Sequence, residues 1–305
     1  MIKEIHSKTI LNHVKQPDTY FGLKYNMNLY RGCQHQCIYC DSRSACYQIE
    51  NFADIHIKAN AVELLEDVLP RKRVCGTIGS GSMNDPYMPI ERKINLTGRA
   101  LKVIARNSFP VHIITKSDLV LRDLETLKEI NKVYAAVSFT ITTADDELAK
   151  KLEPGAPPTS ARLEAMKTLS DAGILTGVTM QPILPFIEDT PKNISSVVEL
   201  AHQNGTSYIL PWFGMSLREG SRDYYYDKLD QLFPGLKQQY VQRYGSRYVC
   251  NAPNWRELDD LFQKAVYKYG IATQMPIFTP EKITKSKPDP QLPLFLDTDK
   301  HGLDG

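Results

Sequence analysis

Hydrophobic positions along the chain alternate between short strand-like runs and longer stretches with helical periodicity. The strand-like runs lie at 24–30, 74–79, 111–115, 133–141, 174–181 and 207–213. Between them, apolar residues recur at intervals of three and four, which is typical of amphipathic helices. Asp118 is suited to cap one of these helices, and Gly173 to end another. Six strand–helix units predict a parallel sheet with right-handed crossovers.

The pattern divides the chain into four parts. Residues 1–23 are polar and mixed, and we expect them to form a lead-in that covers the bottom of the sheet structure. Residues 24–215 contain the six strand–helix units. The pattern in residues 216–275 predicts a helical extension. Residues 276–305 contain interspersed lysines and prolines, which predicts a solvated, flexible tail.

Composition narrows the class of protein only moderately. The 305 residues, 42% of them hydrophobic, suffice for one large domain or two small ones. A net charge of +2 neither requires nor excludes a nucleic-acid partner. No apolar run has the length of a membrane span, and the N-terminus lacks a signal-peptide pattern. Six cysteines without a secretory signal predict a reducing, cytoplasmic location and no membrane partner.

Three of these cysteines stand in the spacing C-x3-C-x2-C directly after the first predicted strand. They are Cys33, Cys37 and Cys40, with Tyr39 before the last. Thiolates on one tight loop can each hold one iron of an iron–sulfur cube, and three ligands leave the fourth iron open to a small molecule. A disulfide framework would leave an odd thiol, and a zinc site that recruited His35 would depart from the usual two separated ligand pairs. The iron–sulfur interpretation is therefore favoured.

The cysteine spacing resembles that of the radical S-adenosylmethionine (SAM) superfamily. The resemblance implies a [4Fe–4S] cluster on Cys33, Cys37 and Cys40, with SAM on the open iron and Tyr39 against cluster and adenine. It implies that the cluster, reduced by an electron donor, cleaves SAM to a 5′-deoxyadenosyl radical that abstracts hydrogen from the substrate. The implied fold is α/β, a partial (β/α)6 TIM-like barrel with its site at the C-terminal strand ends.

Further motifs narrow the resemblance to the spore photoproduct lyase family. They are Asn28-Leu29-Tyr30-Arg31-Gly32-Cys33, Asn84-Asp85-Pro86-Tyr87, Ile114-Thr115-Lys116-Ser117, Arg122-Asp123, Val137-Ser138-Phe139, and Leu152-Glu153-Pro154 with Arg162. The family pattern implies that Asn84, Asp85, Lys116 and Ser138 contact SAM. Other interpretations stay open at each position: a turn at Asn84-Asp85, a structural ion pair at Lys116, and a core hydroxyl at Ser138. For Glu153 and Arg162 we expect a mutual pair or a loop contact.

Two positions depart from the family pattern. The lesion-cleaving enzyme carries a cysteine, its hydrogen donor, where this chain has Ser82, and a tyrosine where it has Asp41. A hydroxyl O–H bond is much stronger than a thiol S–H bond, so Ser82 cannot donate the hydrogen atom. Cys46 is the candidate hydrogen donor in its place. These two departures argue against spore photoproduct as the substrate of this chain, although DNA remains the expected substrate. A radical enzyme acting on a small molecule, peptide or RNA, and a cluster protein without catalysis, are the alternatives.

The tail contains a second recognisable motif. Gln291, Leu292, Leu294 and Phe295 match the QLxLF peptide with which bacterial proteins bind the sliding clamp of DNA polymerase. An extended, proline-stiffened peptide loses little entropy on binding, and its leucine and phenylalanine can fill an apolar pocket. The alternative is that these residues fold back onto the barrel.

Tyrosine and arginine interleave in the helical extension, and this pattern has two interpretations. The residues are Tyr224, Tyr225, Tyr226, Tyr240, Arg243, Tyr244, Arg247, Tyr248 and Arg256. Such sets can stack bases and hold phosphates. Tyrosines on amphipathic helices are more often packing residues, so packing is favoured.

Overall fold

A computed structural model describes residues 1–16, 18–49, 51–81 and 83–280. The strands are β1 (Ile2–Ile5), β2 (Leu11–His13), β3 (Leu23–Met27), β4 (Tyr30–Arg31), β5 (Ile55–Lys58), β6 (Thr77–Gly79), β7 (Val111–Thr115), β8 (Ala135–Thr140), β9 (Leu175–Met180), β10 (Tyr208–Pro211), β11 (Gly214–Ser216) and β12 (Val249–Asn251). The α-helices are α1 (Ala61–Val68), α2 (Glu91–Ile94), α3 (Leu96–Arg106), α4 (Leu124–Asn131), α5 (Asp146–Leu152), α6 (Thr159–Asp171), α7 (Pro191–Gln203), α8 (Ser221–Leu232), α9 (Leu236–Tyr244) and α10 (Trp255–Tyr269).

Six strands form one parallel sheet in the order β3-β6-β7-β8-β9-β10, and β2 adds to β3 in the antiparallel sense. These six are the strands that the hydrophobic pattern predicted, with shorter ends. Helices lie between them along the chain, as right-handed crossovers require. The predicted α/β fold, a partial (β/α)6 barrel, is confirmed.

Helix boundaries follow from capping side chains. Thr190 accepts a hydrogen bond from the Asn193 amide, and Pro191 opens α7, where a missing N–H costs nothing. After α6, Gly173 takes a φ of +80°, as predicted for a helix end. The Asp118 prediction is wrong by one residue. Ser117 is the cap, and its hydroxyl accepts from Leu119 N at the start of a 3-10 segment.

The two faces of the sheet differ in chemistry because side chains alternate along a strand. Val111, Ile113, Val137, Phe139 and Val178 belong to the main apolar core, together with residues of the surrounding helices. Burying each such side chain stabilises the fold by about 1.5–3 kcal/mol. The intervening positions are largely polar, and several of them hydrogen-bond from one strand to another.

The first 23 residues contribute strands to two sheets in addition to covering the N-terminal end of the barrel. Strand β1 pairs in parallel with β5, and β5 pairs antiparallel with β4, the strand that leads into the cysteine loop. Strand β2 joins the main sheet through β3. Phe21 does lie at the floor, with its ring centroid 4.6 Å from that of His112. The lead-in is therefore built into two sheets.

The C-terminal extension packs on the barrel through its aromatic residues. Tyr225, Tyr226, Tyr240 and Tyr244 are buried in one cluster, which agrees with the packing interpretation for these four. Strands β11 and β12 form an antiparallel pair that the sequence pattern did not reveal. In the described part of the chain, no helix is both long enough and apolar enough to cross a bilayer.

After α10 the chain runs along the N-terminal end of the barrel. Ala272 exchanges backbone hydrogen bonds with the β10 region, and the Tyr134 hydroxyl donates to the Pro276 carbonyl oxygen at 2.6 Å. Residues 276–278, predicted as the start of a flexible tail, therefore contact the barrel. The clamp-like motif at 291–295 lies outside the described residues.

Candidate functional site

The cysteine loop begins where β4 ends, and backbone contacts hold it on both sides. Gly32 has a φ of +78°, and a Cβ there would lie 2.2 Å from the Asp54 carbonyl oxygen, so only glycine fits. Cys33 N donates to Phe52 O at 3.3 Å, and Ile38 N donates to Leu152 O at 2.9 Å. The loop is thereby fixed over the C-terminal edge of the sheet.

The three cysteines of the loop line one cavity of about 150 Å³. All three are free thiols. Cys33 and Cys37 are buried, whereas Cys40 is partly exposed. Burial raises the pKa of the Cys33 thiol to about 12 and that of Cys37 well above its usual value. The other wall of the cavity includes Gly81, Met83, Asn84, Asp85, Ile114, Thr115, Lys116 and Thr140. The structure therefore brings the predicted residues Asn84, Asp85 and Lys116 together with the cysteines.

Asp85 is buried and surrounded by the protein's own donors. Its carboxylate accepts from Thr115 Oγ1 and Lys116 N, each at 2.7 Å, and from Tyr87 N at 2.8 Å. His35 Nε2 faces it at 3.2 Å. Burial alone would raise the pKa of Asp85, but His35 and these hydrogen bonds lower it to about 2. The geometry makes Asp85 a carboxylate that ties the cysteine loop to the ends of β6 and β7.

Asn84 has one free hydrogen-bonding group. Its Nδ2 donates to Tyr30 O at 2.8 Å, which orients the side chain, while its buried Oδ1 has no partner within the described residues. A buried carbonyl oxygen without a partner lowers the stability of the fold unless a ligand donates a hydrogen bond to it. The Asn84 amide therefore suits a ligand that carries N–H groups.

Lys116 belongs to a buried charge network beside Cys37. Its Nζ lies 3.8 Å from Glu153 Oε1 and 5.7 Å from the centre of the Tyr39 ring. The Tyr39 hydroxyl donates to the same Glu153 carboxylate, whose other oxygen pairs with Arg162. Burial alone would lower the pKa of Lys116, but Cys37 and Glu153 raise it to about 12. Lys116 thus presents a fixed positive charge to the cavity.

Three of the predicted residues are not among those that line the cavity. Tyr39 is buried, and its hydroxyl donates to the Glu153 carboxylate. Ser138 is fully buried, and its hydroxyl bonds His112 Nε2 at 2.8 Å and the Tyr208 hydroxyl at 2.7 Å. Cys46 is exposed, and its sulfur lies 3.5 Å from Arg218 Nη1. Roles for Tyr39, Ser138 and Cys46 in the reaction stay predictions, and Ser82 lies outside the described residues.

Sequence reasoning missed the part that His35 plays. The sequence indicates His35 only as a possible zinc ligand. In the structure its Nδ1 bonds Gly155 O at 2.9 Å while Nε2 faces Asp85. Its position within the cysteine motif was the available signal, but both partners are far away in sequence.

The residues present fit a [4Fe–4S] cluster with SAM. Three thiols share one wall, and the opposite wall offers the unpaired oxygen of Asn84 and the cation of Lys116. An amino acid zwitterion needs one acceptor and one positive charge. In the described residues no three His, Cys, Asp or Glu side chains converge as they would around a single metal ion. An iron–sulfur cube does not need the three thiolates to converge on one point, because each thiolate binds a different iron.

Comparisons with known proteins find relatives of this chain in an archaeon and in a bacterium. An uncharacterized protein of Methanocaldococcus jannaschii is 36% identical over 188 residues, which are 62% of this chain and 70% of that protein. One from Mycobacterium tuberculosis is 28% identical over 281 residues, 88% of this chain and 81% of that one.

Among solved structures, spore photoproduct lyase with bound AdoMet and dinucleoside spore photoproduct matches with a TM-score of 0.66. It is 15% identical, and the match covers 88% of this chain and 79% of that one, so the likeness shows a shared fold. The family model of the radical SAM superfamily matches residues 27–201, which include the cysteine loop and most of the barrel. This chain therefore belongs to the radical SAM superfamily, whose members use a [4Fe–4S] cluster and SAM.

Proposed function

We propose that Cys33, Cys37 and Cys40 hold the [4Fe–4S] cluster and that Asn84 and Lys116 hold SAM beside it. The observation that carries this proposal is the shared cavity, in which three thiols face an unpaired amide oxygen and the half-buried ammonium of Lys116. When bound, cluster and SAM supply a 5′-deoxyadenosyl radical. The chain's own residues orient SAM, with Asn84 toward its amino group and Lys116 toward its carboxylate.

Anaerobic reconstitution tests this assignment. The protein is loaded with iron and sulfide, reduced with dithionite in the presence of SAM, and assayed for 5′-deoxyadenosine. We expect product from the wild type and from a Cys75→Ala control, since Cys75 lies outside the cavity lining. Cys37→Ala should lose the iron and the product. If Cys37→Ala kept both, the three-cysteine assignment would be wrong.

For the substrate, we propose a DNA base, acted on in a lyase-type repair reaction. The solved structure with a shared fold holds a dinucleoside spore photoproduct, which supports a ligand of that size for this chain. Ser82 and Asp41 stand where a hydrogen-donating cysteine and a tyrosine stand in that enzyme's family, so the lesion is expected to differ from spore photoproduct.

The substrate proposal is tested by stimulation of SAM cleavage. The reconstituted enzyme is mixed with ultraviolet-irradiated DNA, intact DNA of the same sequence, or RNA, and 5′-deoxyadenosine is measured. Irradiated DNA should stimulate most, and its binding should weaken steeply with salt because phosphate contacts release counterions. Equal stimulation by RNA, or none by any polymer, would favour the alternative substrates.

We further propose that residues 291–295 dock the enzyme on a bacterial sliding clamp. Support comes from the sequence alone, which matches the QLxLF peptide at Gln291, Leu292, Leu294 and Phe295. A peptide spanning residues 287–299 should bind a purified bacterial clamp, and the same peptide with Phe295→Ala and Leu294→Ala should not. Equal binding by both peptides would remove this proposal.

A further inference from the structure

Three charged side chains form a network beside the cysteine loop. They are the carboxylate of Glu153 and the cations of Lys116 and Arg162. Glu153 and Arg162 are almost fully buried, and Lys116 is half-buried. Of the three, Lys116 lines the cavity that holds the cysteines, whereas the other two lie behind it. We call these three residues the charge network.

The backbone fixes the position of the charge network relative to the cysteine loop. The end of α5 and the loop after it run alongside the cysteines. Ile38 N donates to Leu152 O at 2.9 Å, and Gly155 N donates to His35 O, also at 2.9 Å. In sequence, these two hydrogen bonds fall on either side of Cys37. The residue between Leu152 and Pro154 is therefore held close to this cysteine.

Side-chain contacts hold the three charges in one arrangement. Glu153 Oε1 accepts from the Tyr39 hydroxyl and lies 3.8 Å from Lys116 Nζ. Its Oε2 pairs with Arg162, and Arg162 Nη1 donates to the Thr140 carbonyl oxygen at 2.9 Å. Turning either side chain of the buried pair away would leave a buried charge without its partner, which is strongly unfavourable. The charges therefore stay at fixed distances from the cysteines.

Fixed, buried charges act strongly on a neighbouring redox group. Water and salt screen buried charges much less than exposed ones. The reduction potential of an iron–sulfur cluster depends on the charge and the hydrogen bonds around it. A nearby carboxylate opposes the addition of an electron, and a nearby ammonium or guanidinium favours it.

Resting on the proposed function, we propose that Glu153 lowers the reduction potential of the cluster through its fixed negative charge and that Lys116 raises it. One electron passes from a reductant such as dithionite to the cluster, and no covalent bond forms or breaks in this step. A lower potential makes the reduced cluster a stronger reductant. The charge network therefore balances the ease of loading an electron against its reducing power toward SAM.

A purely structural role of the network predicts a different pattern. If Glu153 and Lys116 served only to hold the cysteine loop, removing either charge would loosen the loop, and both changes would move the potential in the same direction. If their charges act on the cluster, the two changes move the potential in opposite directions. The sign of each shift therefore separates the two roles.

The test is a potentiometric titration of the reconstituted protein without SAM, with electron paramagnetic resonance reporting the reduced fraction. The variants are Glu153→Gln, Lys116→Gln and the double variant Glu153→Gln/Arg162→Met. Asp123→Asn is the matched control. Asp123 is also a buried carboxylate paired with an arginine, Arg122 at 2.8 Å, but it makes no hydrogen bond to the cysteine motif among the described residues. Iron content is measured for each protein.

Glu153→Gln should raise the midpoint potential. At a fixed applied potential we expect the ratio of reduced to oxidised cluster to rise roughly tenfold, which is about 59 mV for a one-electron couple. Lys116→Gln should lower the same ratio. The double variant removes one negative and one positive charge, so its potential should return toward that of the wild type. Asp123→Asn should match the wild type.

Several results would overturn this proposal. One is a shift of Glu153→Gln and Lys116→Gln in the same direction, and another is an unchanged potential in both. If Glu153→Gln does not load iron, Lys116→Gln and the double variant decide, and an unchanged or raised potential in Lys116→Gln contradicts the proposal. Failure of the wild type to load iron would remove the proposed function and this inference together. Normal SAM cleavage with unshifted potentials would remove this inference alone.

Discussion

Glu153 and Arg162 form a buried ion pair, with Oε2 and Nη2 2.5 Å apart and each side chain only 1% exposed. The other Glu153 oxygen accepts from the Tyr39 hydroxyl and faces Lys116. Arg162 also donates to Thr140 O at 2.9 Å and Pro157 O at 2.7 Å. The pair thus connects the strand end at Thr140 to the residue before Cys40.

Arg162→Met should destabilise the protein strongly, because it leaves the Glu153 carboxylate buried beside a single cation. Removing one partner of a buried pair costs about 3–5 kcal/mol. Urea unfolding of the protein without cluster measures the change in the free energy of unfolding. The double variant Arg162→Met/Glu153→Gln should lose less than the sum of the single changes. A loss below about 1 kcal/mol in the single variant would contradict the role of this pair.

Asn84→Ala should weaken SAM binding without removing the cluster. The variant loses the unpaired Oδ1 in the cavity, and a hydrogen bond to a charged group is worth about 1.5–3 kcal/mol, or roughly ten- to a hundredfold in affinity. Equilibrium binding of SAM to reconstituted protein provides the measurement. Asn107→Ala, at the end of α3, is the control. Unchanged affinity in both variants would exclude contact with Asn84.

Glu188 makes stability fall as the pH rises toward 8. The side chain is fully buried, Oε2 accepts from Leu184 N at 3.0 Å, and Oε1 has no partner in the described part of the chain. Burial raises the pKa of Glu188 to about 8. Between pH 4.5 and 8 the folded state therefore keeps a proton that the unfolded state has lost, and each pH unit costs about 1.4 kcal/mol.

Glu188→Gln should remove this slope, and its advantage over the wild type should grow with pH up to about 8. Denaturant unfolding at pH 5, 6, 7 and 8 gives the curve. Glu164→Gln, at an exposed helix position, is the matched control and should follow the wild type. If the wild type and Glu188→Gln ran parallel across this range, the buried acid would not be protonated.

His112 has the opposite effect at low pH. Burial lowers the pKa of His112 to about 3, so between that pH and about 6.5 the unfolded state binds a proton that the folded state does not. Stability should fall as the pH drops through this window, by about 2 kcal/mol between pH 6.5 and 5. His112→Gln should reduce this loss of stability at low pH, whereas His6→Gln, at an exposed position, should not. An unchanged acid slope in His112→Gln would refute this account.

The barrel and its cysteine loop were predictable because their signals are local. Each parallel strand is a short apolar run, and Cys33, Cys37 and Cys40 lie within eight positions. The β11–β12 pair escaped prediction because three-residue strands are too short to show periodicity. Strand β5 has the alternation of a half-buried strand, but its partners are far away in sequence.

Contacts between distant loops could not be predicted in the same way. Asp85 meets His35 across fifty residues, and the Lys116–Glu153 contact depends on two separate strand–helix connections. Hydrophobic periodicity carries no information about which polar side chains face each other. The Ser138 prediction illustrates the limit, because the pattern identified its strand but not the hydroxyl and imidazole that surround it.

The contacts made by residues 276–278 determine where the last part of the chain begins. Phe278 packs near Tyr134, and Ile277 lies against Gly22, both at the N-terminal ends of strands and opposite the cysteine loop. The ten residues between 280 and 291 can span at most about 35 Å. Any partner bound at residues 291–295 would therefore attach within that distance of Pro280, which follows these contacts at the N-terminal end of the barrel.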